Sequence, residues 1–363
     1  MDENIPHSRV GFYNTSTSWN NYQRWPYEVA RVLYSRGHQV EVFTADRGRL
    51  YAKARRYGLK IHKFRKSGFL PFDIFRLARS LKRKQITTLF INYQGDLKTG
   101  ALAAHMAGVH NVIYRRGTVS GVQGNLINRW VFKRFITTVI TNSDANRSRL
   151  VRGSHNMFDP ASTRVIYNGL NLKGRHTLSE SQHNYRSNGE LMVGLMTSDM
   201  HPYRLLHLFE ILRREDKKAE HFRFLIHGNG HVVRSLKKQL REQPELQKML
   251  VWDTRSRHLV EFMNSVDVFV TGSTSNDFNH PLMYAMARSK PVIAYARGSN
   301  PEIIRNNETG FLLSEGDVHG VKQKLEMLRD PDLRVRLGRK ARLTLEKRFN
   351  MEHSINQIEE LIR

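Results

Sequence analysis

The chain has 363 residues, more than one hydrophobic core usually serves, so two domains are expected. With 39% hydrophobic and 10% aromatic residues its composition is globular, no apolar run approaches the roughly 18 residues of a membrane span, and zero cysteines exclude disulfide frameworks, thiol nucleophiles and zinc-thiolate sites. Lysine and arginine outnumber aspartate and glutamate 59 to 33, and the resulting +26 calls for an anionic partner such as phosphates, anionic lipid or nucleic acid.

The N-terminus, MDENIPHSRVGFYN, has no basic segment followed by an apolar one, so no export signal is expected and the cytoplasm is the expected compartment. From Arg9 onward short β-rich runs alternate with helical stretches: RVGFYN, QVEVFTA, KIHKF, TTLFINY, NVIYRRG, VITNS and RVIYNG. That rhythm is the signature of βαβ units and a parallel sheet. After the first run comes TSTSWNN, residues 15–21, rich in hydroxyl and amide groups suited to ligand contacts, where helix capping is the plainer alternative. Residues 68–85, GFLPFDIFRLARSLKRKQ, set Ile74, Leu77, Ala78 and Leu81 on one helical face and Arg76, Arg79, Lys82 and Arg83 elsewhere. The pattern fits a helix lying on anionic lipid and equally a sheet-packing helix with a solvated basic face. Arg115 and Arg116 end NVIYRRG; two guanidiniums at a strand's carboxyl end suit a phosphorylated or carboxylated ligand, and the alternative is a pair of surface arginines.

Residues 174–190, GRHTLSESQHNYRSNGE, are polar and turn-rich, and mark a connection between domains at 1–175 and 190–345. The rhythm then resumes with LMVGLM, FRFLIHGNG, LVWDT, VDVFVTGS, PVIAYA and GFLLSEG. HGNGH at 227–231 lacks the third glycine of a dinucleotide fingerprint. The closing helix, from about Asp330, either finishes the second domain or packs its last stretch, about 346–363, back on the first. Seventeen histidines include no H-E-x-x-H, so no metal is expected. The fold class is therefore α/β, two Rossmann-like doubly wound parallel-sheet domains; since open parallel sheets bind ligands at their strands' carboxyl ends, a site in a cleft between the two is expected.

The most specific segment is PLMYAMARSKPVIAYARGSNPEIIRNNETGFLL, residues 281–313. With Arg36-Gly37-His38 and Val40, Asn168-Gly169, HGNG at 227–230 and Asp267 to Val270 in the same order, the chain resembles the retaining glycosyltransferases of family 4, which have the GT-B fold. The resemblance implies transfer of a hexose from a nucleotide-sugar co-substrate, with no metal or other cofactor, the nucleotide sitting in the second domain. It implies a donor set of Thr197, Ser198, Arg204, Gly228, Gly230, Asn276, Phe278, His280, Tyr284 and Glu302, an acceptor side of Asn20, Asn21 and Arg115, and catalytic roles for Arg116 and Asp277. Asn276 and Tyr284 stand where relatives usually carry two glutamates that hold sugar and ribose, and Leu195 and Met200 where relatives carry the cations facing the diphosphate. Asp277 offers a replacement acceptor, or is a solvated loop aspartate; Arg204 offers a replacement cation, or is an ordinary exposed helix residue.

By analogy the acceptor is an anionic glycan or a lipid-linked sugar of bacterial polysaccharide or lipopolysaccharide synthesis, and the positive charge brings the protein to the inner face of the cytoplasmic membrane as a peripheral partner. Basic residues scatter over many helices instead of forming one arm, so nucleic acid is not the expected partner. Three alternatives stay open: a family member that binds glycan or nucleotide without turnover, a polyanion binder on this fold, and a sugar-nucleotide epimerase.

Overall fold

The computed structural model describes residues 8–19, 21–64, 71–117, 125–153, 157–172, 185, 189–197, 202–215, 221–228, 230–241, 243–253, 256, 258–272 and 278–363. The chain divides into two compact units, one of Met1–Asn168 with Glu352–Arg363 and one of Gly169–Met351. Each is built on an all-parallel sheet, of seven and six strands. Every β-rich segment of the sequence overlaps one of these strands, and the doubly wound α/β class is the observed one.

In the first unit the strands are β1 (Arg9–Asn14), β2 (Gln39–Ala45), β3 (Lys60–Phe64), β4 (Thr88–Ile91), β5 (Asn111–Arg116), β6 (Thr138–Thr141) and β7 (Thr163–Val165), in the order 3-2-1-4-5-6-7. β1 and β4 are apolar on both faces because helices cover both sides of the sheet. Helices α1 (Asn21–Ser35) and α2 (Arg49–Tyr57) step from β1 outward to β3. The remaining four, α3 (Pro71–Arg83), α4 (Leu97–Ala107), α5 (Leu126–Phe135) and α6 (Asp144–Gly153), step the other way. Right-handed crossovers therefore put α1 and α2 on one face and α3 to α6 on the other. Phe43, Leu77, Leu81, Leu89, Ile91 and Phe132 are among the side chains that fill the core on the second face. The direction of stepping reverses between β1 and β4, which makes that pair the switch point.

The helix Met351–Ile362, from its second residue on, belongs to this first unit. Glu359, buried, accepts from Arg36 Nη1 at 2.7 Å and lies 3.2 Å from His38 Nε2. The Ser8 amide donates to His38 Nδ1, so that nitrogen is the acceptor and Nε2 carries the proton toward Glu359. Gly37 between them sits at φ 92, which a glycine adopts without strain. The Arg-Gly-His segment thus clamps the end of the chain.

The second unit orders its strands 10-9-8-11-12-13: β8 (Leu191–Met196), β9 (Phe222–His227), β10 (Leu250–Asp253), β11 (Val268–Thr271), β12 (Val292–Tyr295) and β13 (Gly310–Leu313). Its switch point lies between β8 and β11. Val193, Leu195, Phe224, Val268, Val270 and Ile293 contribute to its core. Leu170 and Asn350 form a bridge beside the point where the chain enters and leaves this unit. A side chain at Gly169 would lie 2.4 Å from the Asn350 carbonyl, so only glycine admits this approach. Among the described residues no helix is long and apolar enough to cross a membrane.

Candidate functional site

At the first unit's switch point buried polar residues gather at the strand ends: Asn14, Thr15 and Ser16 at the end of β1, Asn92 and Asp96 after β4. Asn14 Nδ2 donates to Asn92 Oδ1 at 3.1 Å, and Asn14 Oδ1 accepts the Ser16 amide at 3.0 Å. Thr15 gives both its amide (2.7 Å) and its hydroxyl (2.5 Å) to the Asp96 carboxylate. Gln23 of α1 ties the same loop down through the Ser16 carbonyl. Burial pushes the Asp96 carboxyl up to about 7, against the pull of the two Thr15 hydrogen bonds, and burial together with Asp96 and Asp73 drives the Tyr13 phenol well above its ordinary value. A carboxyl buried at a switch point and poised near neutrality is a frequent mark of a functional site.

Next to it, Arg115 and Arg116 are both fully buried, which rules out the surface-arginine alternative. Adjacent strand residues point to opposite faces of the sheet. Arg115 lies 4.4 Å from the Trp25 ring centroid on the α1 side and donates to Asn168 Oδ1 at 2.8 Å, while Arg116 donates to Gln94 Oε1 and the Tyr114 hydroxyl, both at 3.2 Å. The two guanidiniums are therefore held by different partners within the strand-end layer. Past β6, Asn142 donates to the Gly117 carbonyl at 2.9 Å and accepts from Asn146, extending the polar layer along the sheet edge.

In the second unit, Thr197 closes β8 and is buried; its amide donates to the His227 carbonyl at 3.0 Å. Gly228 turns away at φ 153, and a β-carbon there would fall 1.9 Å from Thr197 Oγ1, so these two predicted residues touch. Gly230 opens the helix Gly230–Gln239. Phe278, buried, meets the His280 ring edge-on, and Tyr284 is buried within the helix His280–Ala287. Asn279 caps that helix through the Leu282 amide and reaches Thr271 at the end of β11 and Asn300 after β12. Glu302 lies half-buried in the short helix Asn300–Ile303. Arg204 lies in the helix Pro202–Glu215, and Asn21 opens α1; their side chains, and Asn20, Ser198, Asn276 and Asp277, fall outside the described residues.

Beside Gly228, His227 Nδ1 lies 2.6 Å from Asp253 Oδ2. Burial would raise this carboxyl, but hydrogen bonds from His227, the Ser256 amide and the Tyr185 hydroxyl hold it well below the usual range. Among the described residues no three His, Asp or Glu gather as metal ligands.

Two family models account for most of the chain. Residues 23–173 match Glycosyltransferase Family 4, and residues 179–344 match Glycosyl transferases group 1. This chain belongs to the family 4 glycosyltransferases. A curated relative, N-acetyl-alpha-D-glucosaminyl L-malate synthase of Bacillus anthracis, is 21% identical over 92% of this chain and 91% of its own. Among solved structures, a glycosyltransferase of Rickettsia africae has a TM-score of 0.84 at 16% identity, covering 98% of both chains. HepE of Anabaena in complex with UDP-glucose has a TM-score of 0.75 at 17% identity, covering 98% of this chain and 99% of that one. These structural likenesses show the shared GT-B fold.

Sequence reasoning missed several residues of this glycosyltransferase. Asp96, Asn92, Gln94 and Gln23 carry no spacing signal; the available clue was a polar residue directly after each apolar strand, as in FINYQGD and VITNS. The His227–Asp253 pair joins residues 26 apart in sequence and becomes visible only in the β9–β10 register.

Proposed function

We propose that this glycosyltransferase moves a hexose from a nucleotide-sugar to a glycan or lipid-linked acceptor, with retention of anomeric configuration, in synthesis of a bacterial surface polysaccharide or lipopolysaccharide. What carries the reading is a polar strand-end layer at the switch point of each sheet in a family 4 chain, the second bordered by Thr197, Gly228 and Asn279. Charge growing on the leaving diphosphate is met by oriented amides at the start of the helix after β8 and by Arg204, while Ser198, Gly230, Phe278, His280, Tyr284 and Glu302 surround the nucleotide-sugar. Asn20, Asn21 and Arg115 serve the acceptor, with Arg116 and Asp277 at the reacting centre, and no protein nucleophile is needed. The net charge of +26 favours a phosphorylated or anionic acceptor and work at the inner face of the membrane.

The test is thermal stabilisation by a panel of UDP-, GDP-, ADP-, TDP- and CMP-sugars, because a ligand at a hundred times its dissociation constant stabilises by about 2.7 kcal/mol. A shift with one nucleotide supports transfer and identifies the donor class. No shift at saturation favours a glycan binder without turnover, the reading that Asn276 and Tyr284 at the two glutamate positions support.

A further inference from the structure

On the face of the first sheet that carries α3, α4 and α5, large apolar side chains stand in solvent. Phe72 and Phe75 of α3 are 73% and 61% exposed, and Leu126, Ile127 and Trp130 of α5 are 81%, 56% and 53% exposed. α4 packs against both helices and exposes Met106 in its last turn, at the edge that carries the cations, so the exposed residues of all three helices lie on one face of the sheet. Scattered exposed apolar residues need no account, but groups in the first turns of two helices on one face do.

Charge says what covers it. Further along the same outward sides stand Arg79, Lys82 and Arg83 on α3 and Lys133 and Arg134 on α5, all exposed. The three helices contain a single carboxylate, Asp73, and it is buried. A solvated helix surface normally mixes both signs, and lysine is depleted from protein–protein interfaces, so this one-signed basic surface does not suit a protein partner of ordinary composition. Apolar side chains flanked by cations with no exposed acid are what a bilayer with anionic headgroups accepts: rings enter the acyl boundary and lysine and arginine stay among the phosphates.

Orientation follows from the fold. Helices in a parallel α/β unit run opposite to their strands, so the first turns of α3 and α5, which hold the exposed aromatics, lie at the edge where the strands end. The cations occupy the last turns, at the opposite edge. We infer that α3, α4 and α5 form a docking face for an anionic lipid bilayer, inserting Phe72, Phe75 and Trp130 at the edge that carries the Asn14–Asp96 switch point. Docking in this pose sets the polar strand ends against the headgroup layer, where the sugar of a lipid-linked acceptor would lie. The face itself does not depend on which sugar is transferred, and its use rests on the proposed acceptor.

The test is co-sedimentation of the full chain with phosphatidylcholine vesicles, with and without about one third phosphatidylglycerol. Binding should need the anionic lipid, fall steeply with salt, and weaken at least about fivefold for each of Arg79→Glu, Lys82→Glu, Lys133→Glu and Arg134→Glu, since each removes a cation and adds an anion. Brominated acyl chains should quench part of the tryptophan fluorescence, a part missing in Trp130→Phe. Equal binding to neutral vesicles, undiminished binding by the fourfold variant, or no quenching in the wild type would overturn the inference. All the changed residues are exposed, so the variants should keep the nucleotide-sugar thermal shift. Lost docking in the wild type with an intact shift sinks this inference alone, and docking without any shift sinks the proposed function alone.

Discussion

Replacing Asp96 by asparagine should change how the first unit responds to pH. The carboxyl is fully buried and titrates at about 7 when folded, against an ordinary 3.8. A folded pKa above the unfolded one means that the native state binds the proton more tightly. The stability tied to that proton is fully present below about pH 4 and is lost as pH rises through about 7. A difference of about three pH units at 1.36 kcal/mol each gives on the order of 4 kcal/mol, an upper figure because a buried group can relax. The asparagine would stay neutral, accepting the Thr15 amide through its oxygen and donating to the Thr15 hydroxyl, so both hydrogen bonds survive the change. Urea unfolding at pH 5 and pH 8, followed by tryptophan fluorescence, reads the right unit because Trp19, Trp25 and Trp130 lie in it and only Trp252 lies in the other. Relative to the variant, the wild type should lose roughly 3 kcal/mol between the two pH values. Parallel pH trends for the two proteins would refute the assignment of a buried, titrating carboxyl.

Two further substitutions address the turns and the clamp. Gly228→Ala puts a β-carbon into the Thr197 hydroxyl at φ 153 and should destabilise the second unit by about 1–3 kcal/mol, with loss of the nucleotide-sugar shift; a melting temperature equal to wild type would contradict the geometry. Glu359→Ala removes the carboxylate held by Arg36 and His38 and should cost about 3 kcal/mol, freeing the terminal helix for limited proteolysis; unchanged resistance to protease would show that apolar packing alone retains it.

The sequence by itself determined the two parallel sheets, because strands buried on both faces must read as short apolar runs and the helices between them as amphipathic stretches. It also held the family in the ordered motifs from Arg36 to Leu312, since those follow the chain one after another. What the motifs do was a different matter. Arg36 and His38 were legible only as a family mark, and the structure shows them gripping Glu359, more than 300 residues away. Arg115 and Arg116 were readable as strand-end cations, and as neighbours on a strand they must start from opposite faces of the sheet, but their burial depends on Trp25, Gln94 and Asn168 arriving from three other segments. Asp96 carried no signal in the sequence and gains its place only when β1 and β4 lie side by side at the switch point, and the aromatics of α3 and α5 share a face only because right-handed crossovers set both helices on one side of the sheet. Periodicity is local and survives in the linear chain; burial, charge environment and shared surfaces arise from contacts between distant segments, and only the tertiary structure decides those.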